Sequence, residues 1–318
     1  MRAVSTKSAP TYECSAYGLS IRANALLPSM HETTVRSEGD GFMVELVSRS
    51  EMPGLERIGE EADSIVYDIL SSGDVYVSVP TVFEAIIQRD GSAARCAPLM
   101  PVDDPAFETN VLHSLVAIAL MLRGEETLHA TVVAIEDKAV ALLGPSGCGK
   151  STLAASLVAR GAQLVTDDVL RIRFDKDATH AFCGPVRLKL FEDSAKCLSD
   201  RLPAMGRFNR LSGKLLFDVP GSQTRQAYPL AALVWLGDSP SGTGIEVERI
   251  TGTDVLGVML RSAMVSRHLE VQRLGRQLLF CGELAGRVPL YSMKYGRTFD
   301  ALPDVGCRLE GLVREEHG

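Results

Sequence analysis

Nowhere in this chain do two cysteines stand in C-x-x-C spacing. The seven that occur (Cys14, Cys96, Cys148, Cys183, Cys197, Cys281 and Cys307) are scattered and odd in number. That pattern argues against a zinc site and a disulfide framework and predicts a reducing, cytoplasmic setting. Long apolar runs are also missing. The longest, over residues 112–122, carries His113 and is too short to span a bilayer, and the N-terminus has no apolar signal core. No membrane partner is expected. Positive charge is in deficit, with 33 Lys and Arg against 40 Asp and Glu and a net charge of −7. That balance argues against nonspecific binding to nucleic acid. There is no internal repeat and no low-complexity tract. What is present is a chain of 318 residues, 46% hydrophobic and 23% charged, enough for one large globular domain or two modest ones.

One stretch organises the rest. Residues 144–152 read Gly144-Pro145-Ser146-Gly147-Cys148-Gly149-Lys150-Ser151-Thr152, which fits the phosphate-binding pattern G-x-x-x-x-G-K-[ST]. Its glycines permit a tight turn whose N–H groups point inward around phosphate oxygens. The helix that follows presents its positive end to the same charge. Lys150 is placed to bridge the outer phosphates of a nucleotide, and Ser151 to ligate Mg²⁺. The flanks suit the motif: an apolar run over 139–143 reads as a buried parallel strand, and Leu153 and Leu157 repeat on one helix face. Gly161 stops that helix, and Leu164 and Val165 open the next strand.

Upstream, short strands are predicted over 12–21, 41–48, 65–70, 75–79 and 83–89, the pair 65–70 and 75–79 forming a hairpin. They suggest an antiparallel N-terminal module of about 100 residues with no titratable cluster. A helix follows over 105–122, capped by Asp103 or Asp104, then a strand over 128–135. The expected domains are residues 1–103 and 104–318. Beyond the nucleotide half, strands are predicted over 170–174, 185–190 and 230–236 and from Pro289, with helices over 192–202, 255–269 and 274–287. A mobile polar loop is expected over 205–213, containing Arg207, Asn209 and Arg210, and a turn over 239–244.

Asp167 and Asp168 follow Leu164-Val165 at the expected end of the strand after the phosphate-loop helix. Phosphoryl transfer needs a carboxylate to hold Mg²⁺ and a group to receive the nucleophile's proton. Adjacent residues leave a strand on opposite sides, so two neighbouring Asp can divide those tasks. His129, 15 residues before Gly144, lies on a strand expected beside that of the loop. Its alternative is a structural histidine. Cys148 inside the loop reads as a small filler residue, with a thiol activated by the helix end as the sharper alternative. Arg187, Lys189, Arg171 and Arg173 are candidate phosphate or substrate contacts, or else structural ion pairs.

His129-Ala130, the 143–152 loop, Arg160-Gly161 and Leu164-Val165-Thr166-Asp167-Asp168 together resemble the catalytic half of the HPr kinase/phosphorylase family, over about residues 105–310. The resemblance implies a P-loop α/β kinase domain of HPr-kinase type, phosphoenolpyruvate-carboxykinase-like, after a smaller, mainly antiparallel β domain. It implies ATP and Mg²⁺ as cofactors, Asp167 as general base with His129 beside it, Lys150 on phosphate, and Ser151 and Asp168 on the metal. It also implies a cytoplasmic homo-oligomer. The family's Glu-x-Arg-Gly-Leu-Gly run is absent, and residues 184–190, with Arg187 and Lys189, stand in its region. The N-terminal half, opening with Tyr17-Gly18-Leu19-Ser20-Ile21, resembles instead the divergent HPr-kinase-like proteins of peptide-maturation gene clusters. The expected activity is therefore ATP-dependent phosphorylation of a serine on a peptide or small protein, with the C-terminal serine of a lasso-peptide precursor as the specific expectation. Phosphorylation of HPr or another carrier protein is the alternative acceptor reading. A P-loop nucleotide hydrolase or switch, and a nucleotide-binding protein without catalysis, are the rival classes.

Overall fold

The computed structural model describes residues 11–33, 41–52, 65–198, 202–209, 212–219, 221, 225–238, 244–264 and 271–315. The chain divides into two compact units. One is Met1–Leu122 with Asn209–Leu211, and the other is Arg123–Phe208 with Ser212–Gly318.

The first unit is built on β1 (Thr11–Ala16), β2 (Leu19–Ala23), β3 (His31–Thr33), β4 (Gly41–Leu46), β5 (Val66–Ile69), β6 (Val75–Val79), β7 (Phe83–Ile87) and β8 (Ala93–Pro98). They form one sheet in the order β3-β1-β2-β4-β8-β7-β6-β5. The β2–β4 and β4–β8 pairs are parallel and the others antiparallel. The single strand expected over 12–21 is instead the β1–β2 hairpin. Tyr17 (φ 56°) and Gly18 (φ 70°) both take the left-handed conformation that a two-residue hairpin turn requires. A buried tyrosine at that position gives no turn signal, so the bend was hidden.

Helix α1 (Pro105–Leu122) completes this unit. Asp104 Oδ1 accepts the Ala106 N–H at 2.8 Å and caps it. Phe107 meets Phe83 edge-on at 6.5 Å, and the Glu108 carboxylate accepts both the N–H (2.9 Å) and the hydroxyl (2.6 Å) of Ser29. These contacts tie α1 to the sheet, so the units divide after Leu122 rather than at residue 103. Among the described residues α1 is the one helix long and apolar enough to cross a bilayer, and 83% of that window is buried inside the protein. A helix buried on nearly every face, its few polar side chains such as Glu108 included, belongs in a core.

The second unit carries β9 (Thr127–Ile135), β10 (Lys138–Leu143), α2 (Lys150–Ala159), β11 (Gln163–Phe174), β12 (Thr179–Phe182), β13 (Arg187–Leu190), α3 (Glu192–Leu198), β14 (Ala204–Arg207), β15 (Leu215–Asp218), β16 (Ala227–Asp238), β17 (Ile245–Ile250), α4 (Thr253–Ser262), α5 (Val271–Arg287), β18 (Leu290–Tyr295) and α6 (Leu302–Glu315). Its main sheet runs β10-β9-β11-β12-β16-β18-β17, and β10 also pairs with β16, which closes a ring of five strands. Two joins are parallel, β10–β16 and β16–β18. Along β10 the side chains alternate. Val140 and Leu142 pack with Leu153 and Leu157 of α2 and Leu309 of α6. Ala139, Ala141 and Leu143 pack with Val258 and Met259 of α4 and Leu284 of α5. A strand covered on both faces reads as an unbroken apolar run. A small antiparallel sheet, β13-β15-β14, stands beside this one.

Several boundaries differ from expectation. The loop expected over 205–213 begins as strand β14, with Gly206 at φ 123° and the register shifted between Ala204 and Gly206. An irregular, mostly exposed strand carries no period-2 signal. Arg210 and Leu211 lie outside the described residues, as does most of the turn expected over 239–244. Helix α4 stops at Ser262, short of the predicted 269. Strands β3, β8, β12, β15 and β17 and helix α6 were not anticipated. Helix α6 comes so close to α2 that a Cβ on Gly306 would lie 3.3 Å from Leu157 Cδ2. Glycines at such approaches dilute the helical pattern.

Candidate active site

The loop between β10 and α2 takes the conformation its glycines permit. Gly144, Gly147 and Gly149 have φ of 140°, 81° and 95°. Gly144 is demanded twice over, since a Cβ there would lie 2.7 Å from Cys148 Sγ and 3.3 Å from the Leu236 carbonyl oxygen. Cys148 is only 2% exposed and packs in the apolar cluster with Leu153 and Leu236. Its side chain fills space under the loop, as the blander expectation had it. Lys150 is buried, and its Nζ donates to the carbonyls of Gly144 (2.7 Å) and Pro145 (3.1 Å). Burial pulls the Lys150 ammonium below its ordinary value, which Cys148, Asp168 and Asp167 oppose.

The two aspartates do not end a strand. They lie within the twelve-residue β11, which pairs with β9 from Gln163 through Arg171. The register shifts between Leu164 and Thr166, and Asp168 sits at φ 83°. Thr166 Oγ1 donates to the Val169 carbonyl at 2.9 Å and braces the kink. This irregularity decides what each carboxylate can reach. In regular pairing Asp167 would share a face with Thr131, and Asp168 a face with Ala130, which lies in an apolar cluster. The kink turns Asp168 into the same cleft as His129.

Asp167 is 0% exposed. Its Oδ1 accepts the hydroxyls of Thr131 (2.7 Å) and Ser151 (3.1 Å), and its Oδ2 the Lys189 N–H (3.2 Å). Asp168, with 24% of its side chain exposed, takes the Lys189 ammonium on Oδ2; that ammonium is also 4.0 Å from Asp167 Oδ2 and 4.8 Å from the centre of the Phe208 ring. His129 is half-buried. Burial pushes its imidazole below the ordinary value, Asp168 opposes that, and the Lys150 and Lys189 charges push the same way as burial.

His129, Lys150, Asp168 and Lys189 line an open cleft of about 520 Å³ with Ser146, Gly147, Gly149, Ser151 and Thr152, while Asp167 lies behind its wall. Phe191, Ser194 and Lys214 line it too, and Thr152 Oγ1 lies 2.9 Å from Ser194 Oγ. The structure thus brings together His129, Lys150, Ser151, Asp167, Asp168 and Lys189. The other basic candidates are placed elsewhere. Arg171 is buried and paired with Glu125 (2.8 Å), and Arg173 pairs with Asp175 (3.0 Å). Arg187 is buried at the start of β13 and does not line the cleft. Thr131, Ser194 and Lys214 went unread in the sequence. Thr131 alone carried a signal, two residues from His129 on the same strand face. Among the described residues no cluster of three or more His, Cys, Asp or Glu could hold a metal ion by itself. A hydroxyl and a carboxylate beside a phosphate loop are hard oxygen donors, however, and fit Mg²⁺, which takes its remaining ligands from phosphates and water.

Comparison with known proteins places this arrangement. Residues 121–190 match the family described as the HPr Serine kinase C-terminal domain, a stretch running from the end of α1 through β13. The HPr kinase/phosphorylase of Bacillus subtilis (strain 168) is 29% identical over 143 residues, covering 43% of this chain and 44% of that protein. The HPr kinase/phosphorylase of Burkholderia lata is 34% identical over 90 residues, 28% of each chain. The matches span less than half the length of these relatives. The solved Hpr(Ser) kinase/phosphatase from Coxiella burnetii is 16% identical and covers 59% of this chain and 94% of that one, with a TM-score of 0.31. Residues 121–190, which carry the phosphate loop and the Asp pair, are thus similar to the HPr kinase C-terminal domain, and they follow a mainly β unit in the chain.

Proposed function

We infer that this chain, a divergent HPr-kinase-like protein, is an ATP- and Mg²⁺-dependent kinase that phosphorylates a serine hydroxyl on a peptide or small protein. The observation that carries the reading is the hydrogen bond from the phosphate-loop hydroxyl of Ser151 to the buried carboxylate of Asp167, with Asp168 turned into the open cleft beside it. In phosphate-loop enzymes a loop Ser or Thr and a strand Asp together form the metal side of the site.

That geometry favours a division of labour opposite to the expected one. Asp167 is sealed from the cleft and bonded to Ser151, so it belongs with the metal. Asp168 is the carboxylate an incoming hydroxyl can meet, so it is the better general base. Ser151 and Asp167 would hold Mg²⁺, which supplies charge neutralisation on the phosphate oxygens. The acceptor serine enters the cleft past Phe191 and Lys214, and Asp168 takes its proton as its oxygen bonds to the γ-phosphorus and the bond to the β-phosphate bridge breaks. Lys150 and Lys189 offset the charge on the transferring group. His129 packs beside Asp168 and shapes its surroundings. Catalysis is then chiefly positioning and charge neutralisation.

The finer reading is that the acceptor is the C-terminal serine of a lasso-peptide precursor, supported by the absent Glu-x-Arg-Gly-Leu-Gly run and the N-terminal Tyr17-Gly18-Leu19-Ser20-Ile21 segment. A cytoplasmic homo-oligomer belongs to the same reading. Incubation with γ-labelled ATP, candidate precursor peptides and HPr tests it. Label on a peptide serine is the expected result, label on HPr redirects the acceptor, and free phosphate alone makes the protein a hydrolase.

A further inference from the structure

A second cleft, of about 480 Å³, adjoins the first along the phosphate loop and shares Gly147, Gly149, Thr152 and Ser194 with it. Its remaining wall is Tyr295, Arg297, Thr298, Phe299 and Leu302, the segment that leaves β18 and enters α6. We propose that this cleft is the nucleoside subsite, with Phe299 stacking on the base of the nucleotide whose phosphates the loop cradles. The proposal rests on the kinase reading and extends it to the half of the nucleotide that reading leaves unplaced.

Topology brings the two clefts together. Strands β10, β16 and β18 are mutually parallel, so the loops that follow β10 and β18 leave the sheet at the same edge, where α/β sheets bind their ligands. Tyr295 ends β18 with its hydroxyl 3.6 Å from where a Cβ on Gly149 would be, so that segment runs close to the loop. The chemistry of the two clefts is complementary. The first is lined by Lys150, Lys189, Lys214, Asp168 and hydroxyls, as phosphates and an acceptor require. Its phenyl ring, that of Phe191, has the Lys214 ammonium over it at 5.3 Å. Among the described residues the second is lined by no carboxylate, and it offers the Phe299 ring, 41% exposed, with Leu302 beside it. Thr298 and Arg297 supply polar groups suited to a ribose and an α-phosphate. An exposed ring next to an anion-binding loop is a platform for base stacking.

Calorimetric titration of the full chain with ATP and with inorganic tripolyphosphate tests this, using wild type, Phe299→Ala and Phe299→Trp. Wild type should bind ATP about tenfold or more tighter than tripolyphosphate, the scale of one base stacked on an aromatic ring. Phe299→Ala should lose about tenfold for ATP and nothing for tripolyphosphate, which also reports that the variant is folded, and Phe299→Trp should keep wild-type affinity for both. Unchanged ATP affinity in Phe299→Ala, or an equal loss for both ligands, overturns the subsite and leaves the phosphate loop standing. Wild type that binds neither ligand overturns the phosphate-loop reading itself, and the subsite falls with it.

Discussion

Lys150 turns its ammonium back onto the first residue of its own loop, donating to the Gly144 carbonyl at 2.7 Å. The lysine and the glycine that starts the motif are thereby one unit, and the charge sits centrally in the loop, within the wall of the cleft. Lys150→Ala should abolish transfer and weaken binding of both ATP and tripolyphosphate by about 10–100-fold, the worth of a charge-assisted contact. Calorimetry and a labelled-ATP assay check this. Wild-type turnover in the variant would remove the loop from the mechanism.

The aspartates should separate in a Mg²⁺ titration. Asp168→Asn should still bind Mg·ATP while single-turnover transfer falls by roughly 10²–10⁴, because the amide cannot take the serine proton. Asp167→Asn should bind Mg·ATP less well and recover partly at high Mg²⁺. The opposite pattern would return the base to Asp167, and full activity in both variants would sink the kinase mechanism.

Cys148→Ser tests the loop's underside. The side chain touches apolar atoms, so a hydroxyl there should cost about 1–3 kcal/mol of stability in urea unfolding. The folded protein should still turn over at close to the wild-type rate, since the loop binds through backbone N–H groups. A hundredfold loss of turnover would make the thiol essential.

His129 gives a pH dependence of known sign. Its folded-state value lies below the ordinary 6.5 because of burial and the Lys150 and Lys189 charges, against the pull of Asp168 and Asp167. The unfolded chain therefore binds more protons as pH falls. The stabilising contribution is complete above pH 6.5 and is lost on going lower. Urea unfolding at pH 7.5 and 5.5 should show a steeper loss in wild type than in His129→Gln, and equal slopes would refute the assignment.

The motif, its flanking strand and helix, and α1 were legible because each is a local pattern: fixed glycines, an apolar run, a capped repeat. His129 and the Asp pair were legible as types and spacings. What could not be read was which of the two carboxylates the cleft exposes. Two adjacent residues on a regular strand point apart, and only the bulge at 164–166 with Asp168 at φ 83° brings Asp168 into the cleft of His129. That kink depends on tertiary pairing with β9, which no local pattern encodes. Lys214 and Ser194 come from other elements, so their approach to the loop depends on the same long-range assembly. Arg171 and Arg173 looked like a basic face but are paired with Glu125 and Asp175, because alternation along a strand does not reveal which charges lie opposite.

Strand β10 is zipped on one side to β9, its immediate predecessor, and on the other to β16, with Ala139 opposite Leu230. The first pairing is a short hairpin and the second closes a very long stretch of chain. Chain-closure entropy makes the second the slower event in refolding. The backbone under the phosphate loop thus reaches its final form only when the distal half has arrived. Competence to bind a nucleotide should appear in the last kinetic phase, after the far-ultraviolet signal of the hairpins has largely returned. In a nascent chain, the hallmark motif would remain inert until β16 has left the ribosome.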